Sequence, residues 1–158
     1  MDIKNNITIK IENPSSQLIN FLKEKEGFKA KPYYCPGNVL TIGYGHAIQE
    51  HNSLYKKITK THAEQLLVTD ILHTQKLIQK VYNDFIFLQP HQQDAIISLV
   101  FNWGIKNFSK SKLLKCLKTH NYLGAAQEFL DIVKVKGKIV TGLIIRRKEE
   151  TDIFLNGW

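Results

Sequence analysis

The sequence predicts an α+β chain, mostly helical, in which a small lobe built on a β-hairpin is joined by one long helix to a larger helical lobe. Three features point to it. An aromatic and β-branched run from Tyr33 to Tyr44, interrupted by Pro36-Gly37-Asn38, reads as a hairpin. Leu67, Ile71, Ile78 and Val81 form one apolar stripe at helical spacing, long enough to bridge two lobes. Beyond that stripe every start and stop signal is a helical one. At 158 residues the chain suits a single domain, or two small lobes sharing a helix, with enough length to bury a core.

Along the chain, residues 1–14 alternate apolar and polar side chains through Ile7, Ile9 and Ile11, as a short strand or an arm set apart from a domain over 15–158. Asn13-Pro14-Ser15-Ser16 is a helix start, followed by Leu18, Phe21, Leu22 and Lys25 at helical spacing until Gly27 offers a left-handed cap. With the hairpin, this helix makes a small lobe ending near residue 60. Thr61 and Glu64 have the spacing of a capping box and open the linking helix, about 61–82. The helical lobe, about 83–158, begins with Pro90 in the first turn of a helix through Trp103, which Gly104 ends. Three more helices are expected, from about Ser109 to Thr119, Asn121 to Val133, and Gly142 to Leu155. No internal repeat or low-complexity linker interrupts this order.

The formal charge of +8 favours approach to polyanions, whether nucleic acid, anionic lipid or the acidic polymers of a bacterial wall. Lysines and arginines are spread along the chain with no block of like charge and no aromatic platform, so most read as a solvated surface and no nucleic acid partner is expected. Cys35 and Cys116 are the only cysteines, their separation fits neither a zinc site nor a disulfide framework, and both are expected to be reduced in the cell that makes the protein. The opening MDIKNNITIKIENPSS lacks the apolar core of a signal peptide, and no uncharged run is long enough to span a bilayer. The expectation is a protein made in the bacterial cytoplasm without a signal peptide. A target outside it would be reached through other factors.

The candidate chemistry sits in EGFKAKPYYCPGNVLTIGYGH, from Glu26 to His46. Four positions after Leu22, Glu26 falls on the face that Leu18 and Leu22 use for packing, while Glu24 projects into water. Apolar surroundings raise a carboxyl pKa and keep a general acid protonated, although a glutamate that merely closes the helix end fits the same position. Cys35 and Thr41 lie at the hairpin end and on its returning strand, where both would face Glu26 across a cleft. One acid facing groups that hold or polarise a water is the equipment for hydrolysing a glycosidic bond with inversion. His46 would bind a sugar, assist Cys35, or hydrogen-bond within its own lobe.

Glu26, eight residues, Cys35, five residues, Thr41 resembles the Glu-8-(Asp or Cys)-5-Thr triad of phage-type lysozymes, the endolysins. Further similarity runs through LVFNWGIKNFSKSKLLKCL (Leu99 to Leu117) and TGLIIRRKEETDIFLNG (Thr141 to Gly157), so it covers the chain from about Ser15 to its end. The resemblance implies a two-lobed lysozyme fold and hydrolysis of the β-1,4 bond between N-acetylmuramic acid and N-acetylglucosamine in peptidoglycan, lysing bacterial cells, with no metal or organic cofactor. It implies Glu26 as general acid, Thr41 as the residue placing the attacking water, and Arg146 as the arginine pairing with the glutamate across the cleft. His46, Phe101, Asn102 and Ser111 occupy positions resembling those that line the saccharide cleft. Asn102, with Trp103 and Gly104, equally reads as the end of a core helix, and Phe101 as core. The thiol at position 35 stands where aspartate is commoner, and would act as thiolate base or orient water with Thr41.

The competing readings are a cysteine-dependent peptidoglycan amidase or endopeptidase using Cys35 and His46, which leaves Glu26 and Thr41 unexplained, and a non-catalytic glycan-binding relative. Membrane disturbance by the Arg146 to Lys148 segment is disfavoured by Glu149, Glu150 and Asp152 beside it, so no stable membrane insertion is expected. A monomer acting on peptidoglycan is the expected form.

Overall fold

The computed structural model describes residues 13–49 and 56–158. Residues 1–12 of the expected arm lie outside the described residues. Helix α1 (Ser16–Glu26) begins where Ser15 accepts the Leu18 N–H on its hydroxyl, 3.1 Å, and ends at Gly27 with φ +67°. Leu18 and Leu22 are fully buried, and Glu24 is exposed, as the helical period requires.

Strands β1 (Lys29–Tyr34), β2 (Leu40–Gly43) and β3 (His46–Ala47) form an antiparallel sheet in that order. Tyr33 pairs with Thr41 and Tyr34 with Leu40, while the register shifts between Lys29 and Tyr33, the interval holding Pro32, which has no N–H for the ladder. The hairpin closes through Cys35 N–H to Val39 O, 3.0 Å, and Asn38 N–H to Cys35 O, 2.8 Å, with Asn38 in the left-handed region. Strand β3 was not foreseen. It exists because the chain reverses through Tyr44-Gly45, with Gly43 and Gly45 both at positive φ, and pairs Ile42 with His46.

Helix α2 (Lys60–Val81) runs beneath the sheet, burying Ala63, Leu67, Ile71 and Ile78. Its cap is Thr59, whose hydroxyl accepts the His62 N–H at 3.1 Å, rather than the expected Thr61. Glu64 reaches back to Lys23 of α1 instead of capping. A 3₁₀ turn (Asn83–Phe87) leads into α3 (Pro90–Trp103), which starts on a Gln89–Gln92 capping box and buries a continuous run from Asp94 to Val100.

Gly104, at φ +92°, ends α3 and the chain re-enters helix at once as α4 (Ile105–Ser109). The helix expected over Ser109–Thr119 begins later, as α5 (Lys112–Lys118), because Ser111 caps it by accepting the Leu114 N–H at 3.1 Å. Helix α6 (Tyr122–Asp131) stops two residues short of Val133. An unforeseen second hairpin follows, β4 (Lys134–Val135) and β5 (Lys138–Ile139), turned by Lys136-Gly137, both at positive φ.

Helix α7 (Thr141–Asn156) packs along α3 and α6, with Phe154 fully buried. Trp158 donates its indole N–H to Asp94 Oδ2, 2.9 Å, the same oxygen that accepts from Ser15, 2.7 Å, so α3 holds both the start of α1 and the end of α7. The result is the predicted mostly helical α+β architecture. No helix among the described residues is long and apolar enough to cross a membrane.

Candidate functional site

Glu26 closes α1 with its side chain about one-fifth exposed, and Arg146 of α7 donates Nη1–H to its Oε1 at 2.8 Å. The β2–β3 turn lies beside the other oxygen: a Cβ built on Gly45 would be in van der Waals contact with Oε2 at 3.4 Å, and Gly45 has φ +82°, which favours glycine there. The expectation that Glu26 meets apolar surroundings is therefore corrected. Its packing face is that of Leu18 and Leu22, but the carboxyl at the helix end meets a guanidinium and a bare backbone turn.

Arg146 is itself almost wholly buried and does not serve Glu26 alone. Its Nε donates to Glu150 Oε1 at 3.0 Å and its Nη2 lies 3.3 Å from Ser98 O. Glu150, with no exposed surface, also accepts from Ser98 Oγ, 2.6 Å, and on Oε2 from Arg147 Nη1, 2.7 Å. Arg147 completes its fork with Asn102 Oδ1, 2.6 Å, and Ile132 O, 2.9 Å. Burial, with Arg146 nearby, pushes the Arg147 pKa down against the opposing pull of Glu150. Two carboxylates and two guanidiniums thus form one charge-balanced chain running from the interior out to Glu26. A second tie between the same helices joins Lys25 to Glu149.

The hairpin supplies Cys35, Thr41 and Tyr33, and Tyr33 feels the charges of both Cys35 and Glu26. The Cys35 thiol is held below its ordinary pKa, chiefly by the backbone N–H of Val39 and then of Gly37, with a smaller contribution from the Thr41 hydroxyl. Thr41 is nearly buried, and its single hydroxyl hydrogen has two acceptors within reach, Val39 O at 2.8 Å and the Cys35 sulfur, so that either choice leaves the oxygen's lone pairs as acceptors. Burial raises the Tyr33 pKa, and the charges of Cys35 and Glu26 add to it, so this tyrosine senses both. Sequence reading passed over Tyr33, although the hairpin places it directly opposite Thr41.

On β3, His46 sets Nδ1 at 2.8 and 3.1 Å from the two carboxylate oxygens of Asp70 on α2. The hydrogen bond to Asp70 raises the His46 pKa, burial opposes it, and the charge of Asp70 adds. Of the other predicted positions, Phe101 packs against the core, Asn102 serves Arg147, and Ser111 caps α5 while donating to Phe108 O at 2.7 Å. These three have structural duties on α3 and at the start of α5. Among the described residues no group of three or more His, Cys, Asp or Glu is placed to hold a metal. A groove of about 640 Å³ between α1 and the start of α2, lined by Lys23, Tyr44, Lys60 and Glu64, contains none of the predicted catalytic side chains.

A carboxyl aimed by an arginine, beside a hairpin that carries a thiol and a hydroxyl, is equipment that suits hydrolysis in which one group donates a proton and another holds water. The family model described as phage lysozyme matches residues 23–150. The endolysin of Acyrthosiphon pisum secondary endosymbiont phage 1 is 39% identical over 138 residues, covering 84% of this chain and 91% of the relative. That of Salmonella phage P22 is 34% identical over 145 residues, covering 90% of this chain and 97% of the relative. The crystal structure of a P22 lysozyme mutant superposes with a TM-score of 0.77 at 32% identity, covering 92% of this chain and 99% of that one.

Proposed function

The chain belongs to the phage lysozyme family and is a muramidase acting on bacterial peptidoglycan, and from that premise we propose how its residues divide the reaction. Glu26 is the general acid for the β-1,4 bond between N-acetylmuramic acid and N-acetylglucosamine. Arg146 occupies Oε1, so Oε2 is the oxygen that carries the proton and delivers it to the bridging oxygen as the bond breaks. Water held between Cys35 and Thr41 attacks the anomeric carbon from the opposite face. Thr41 accepts one water hydrogen on a lone pair, and Cys35, acting as thiolate, takes the proton the water loses. One proton leaves Glu26 and one arrives at Cys35, so a further exchange with solvent resets the enzyme.

The observation that carries this reading is the Glu26–Arg146 pair at 2.8 Å, together with Tyr33 of the hairpin, which feels the charges of both Glu26 and Cys35. Attack from the face opposite the acid implies an inverting hydrolase. In this reading the enzyme is a monomer without a nucleic acid partner.

The test is digestion of soluble peptidoglycan fragments, with mass analysis of the products and proton NMR of the first-formed anomer. New reducing ends at muramic acid, appearing first as the α-anomer, are expected. A first-formed β-anomer would contradict the water-holding role of Cys35 and Thr41. New free amines would instead favour the amidase reading with Cys35 and His46.

A further inference from the structure

Glu150 is a fully buried carboxylate one helical turn beyond Arg146 on α7, and its hydrogen bonds lead to the acid through that one residue. Resting on the assignment of Glu26 as general acid, we propose that Glu150 is a positioning residue of the reaction: it fixes Arg146 and shares its charge, so that Glu26 is aimed by an arginine without receiving that arginine's whole field.

The geometry makes the sharing specific. Arg146 is permanently charged and offers Nη1 to Glu26 and Nε to Glu150, at 2.8 and 3.0 Å. Glu150 cannot follow Arg146 toward the cleft, because its other oxygen is held by Arg147, and Arg147 is anchored in turn on Asn102 and the Ile132 carbonyl. Ser98 donates to the oxygen that Arg146 also uses, limiting how strongly that oxygen draws on the guanidinium. A free cation beside a general acid favours its carboxylate and would remove the proton the reaction needs. A cation already half-satisfied in the interior supplies direction with less of that penalty.

The other titratable groups on the neighbouring elements are Tyr33, which feels Glu26 and Cys35, and Lys25 on the same helix as Glu26, which is paired with Glu149 and Glu24. His46 on β3 is paired with Asp70. All of them stay the same in the variants below, so differences between variants report the Arg146 cluster.

Glu150→Gln alone would leave Arg147 as a buried unpaired cation, so it is combined with Arg147→Met, which removes one buried charge of each sign. Ser98→Ala, made separately, keeps every buried charge. The measurement is the ionisation midpoint of Glu26, followed by carboxyl carbon NMR beside the pH profile of kcat/KM on soluble peptidoglycan fragments, with thermal melts to verify folding. In the double variant Arg146 turns its full charge on Glu26, and the Glu26 midpoint should fall by roughly half a pH unit or more, carrying with it the limb of the profile that Glu26 sets. In Ser98→Ala the Glu150 oxygen loses its 2.6 Å donor while Arg146 loses only a 3.4 Å acceptor, so Glu150 draws harder on Arg146 and the same midpoint should rise. If the double variant does not fold, the Ser98→Ala direction decides the question. A Glu26 midpoint that stays fixed in a folded variant, whatever happens to stability, overturns the inference. Glu26→Gln in the same series separates the two layers: if it stays active, the acid assignment fails, whereas if it is inactive and the Glu26 midpoint stays fixed in the other variants, only the role of Glu150 fails.

Discussion

Replacing Asp70 by asparagine should destabilise the protein in mild acid and leave it nearly unchanged in alkali. The His46 pKa is raised in the folded protein, mainly by its hydrogen bond to Asp70. Protonated His46 therefore favours the fold, and the stabilisation is complete below the ordinary histidine value of about 6.5 and disappears as pH rises through the higher folded-state value. Both side chains are less than one-third exposed, 22% and 27%, and the contact is short, 2.8 Å. A hydrogen bond between charged groups contributes about 1.5–3 kcal/mol, and partial exposure moves the expectation to the lower half of that range. For a chain of 158 residues, where 1 kcal/mol shifts Tm by about 2–4 °C, the loss is about 3–9 °C. The assay is thermal unfolding of wild type and Asp70→Asn at pH 5.5 and pH 9.5, with His46 titrated by NMR in both. An equal loss of Tm at the two pH values, or none at pH 5.5, would refute the reasoning.

Three further outcomes follow from the site and its frame. Iodoacetamide should alkylate Cys35, in a Cys116→Ala background, with a pH midpoint below the ordinary thiol value of about 8.5, since backbone amides hold the thiolate; a midpoint at or above it would remove the thiolate base. Cys35→Asp should keep or raise turnover on peptidoglycan, because a carboxylate accepts the same proton; complete loss would instead point to a sulfur nucleophile. Gly43→Ala should lower stability by about 1–3 kcal/mol in denaturant titration, because Gly43 has φ +66° and its added Cβ would lie 3.0 Å from that of Ala63 on α2. A change within error would mean that the sheet and α2 separate more easily than their packing implies.

Local signals carried the elements with strong patterns. The Ser15 cap, the Leu18–Leu22 face and Gly27 defined α1, Pro36-Gly37-Asn38 defined the hairpin, and the Leu67–Ile78 stripe defined α2. Elements without an apolar pattern were invisible. Strands β4 and β5 are two residues each with every residue exposed, so no burial period marks them, and α4 is a single short helix directly behind a glycine. Thr59 and Thr61 are equivalent to a local reading, and what separates them is Glu64, drawn away by Lys23 from another helix. The Glu26–Arg146 contact spans 120 residues and was reachable only through the resemblance. Asp70 and Glu150 had no such guide. Each looks like a helix-surface acid until tertiary packing brings His46 to one and two arginines to the other.

Glu26→Gln tests the central assignment most directly, since the amide preserves shape and cannot give up a proton as an acid. Its turnover on purified peptidoglycan should fall by roughly 10²–10⁴-fold, the usual contribution of a general acid, in a protein that melts cooperatively and still binds the wall. Lysis at near wild-type rate by a folded Glu26→Gln protein would contradict the account.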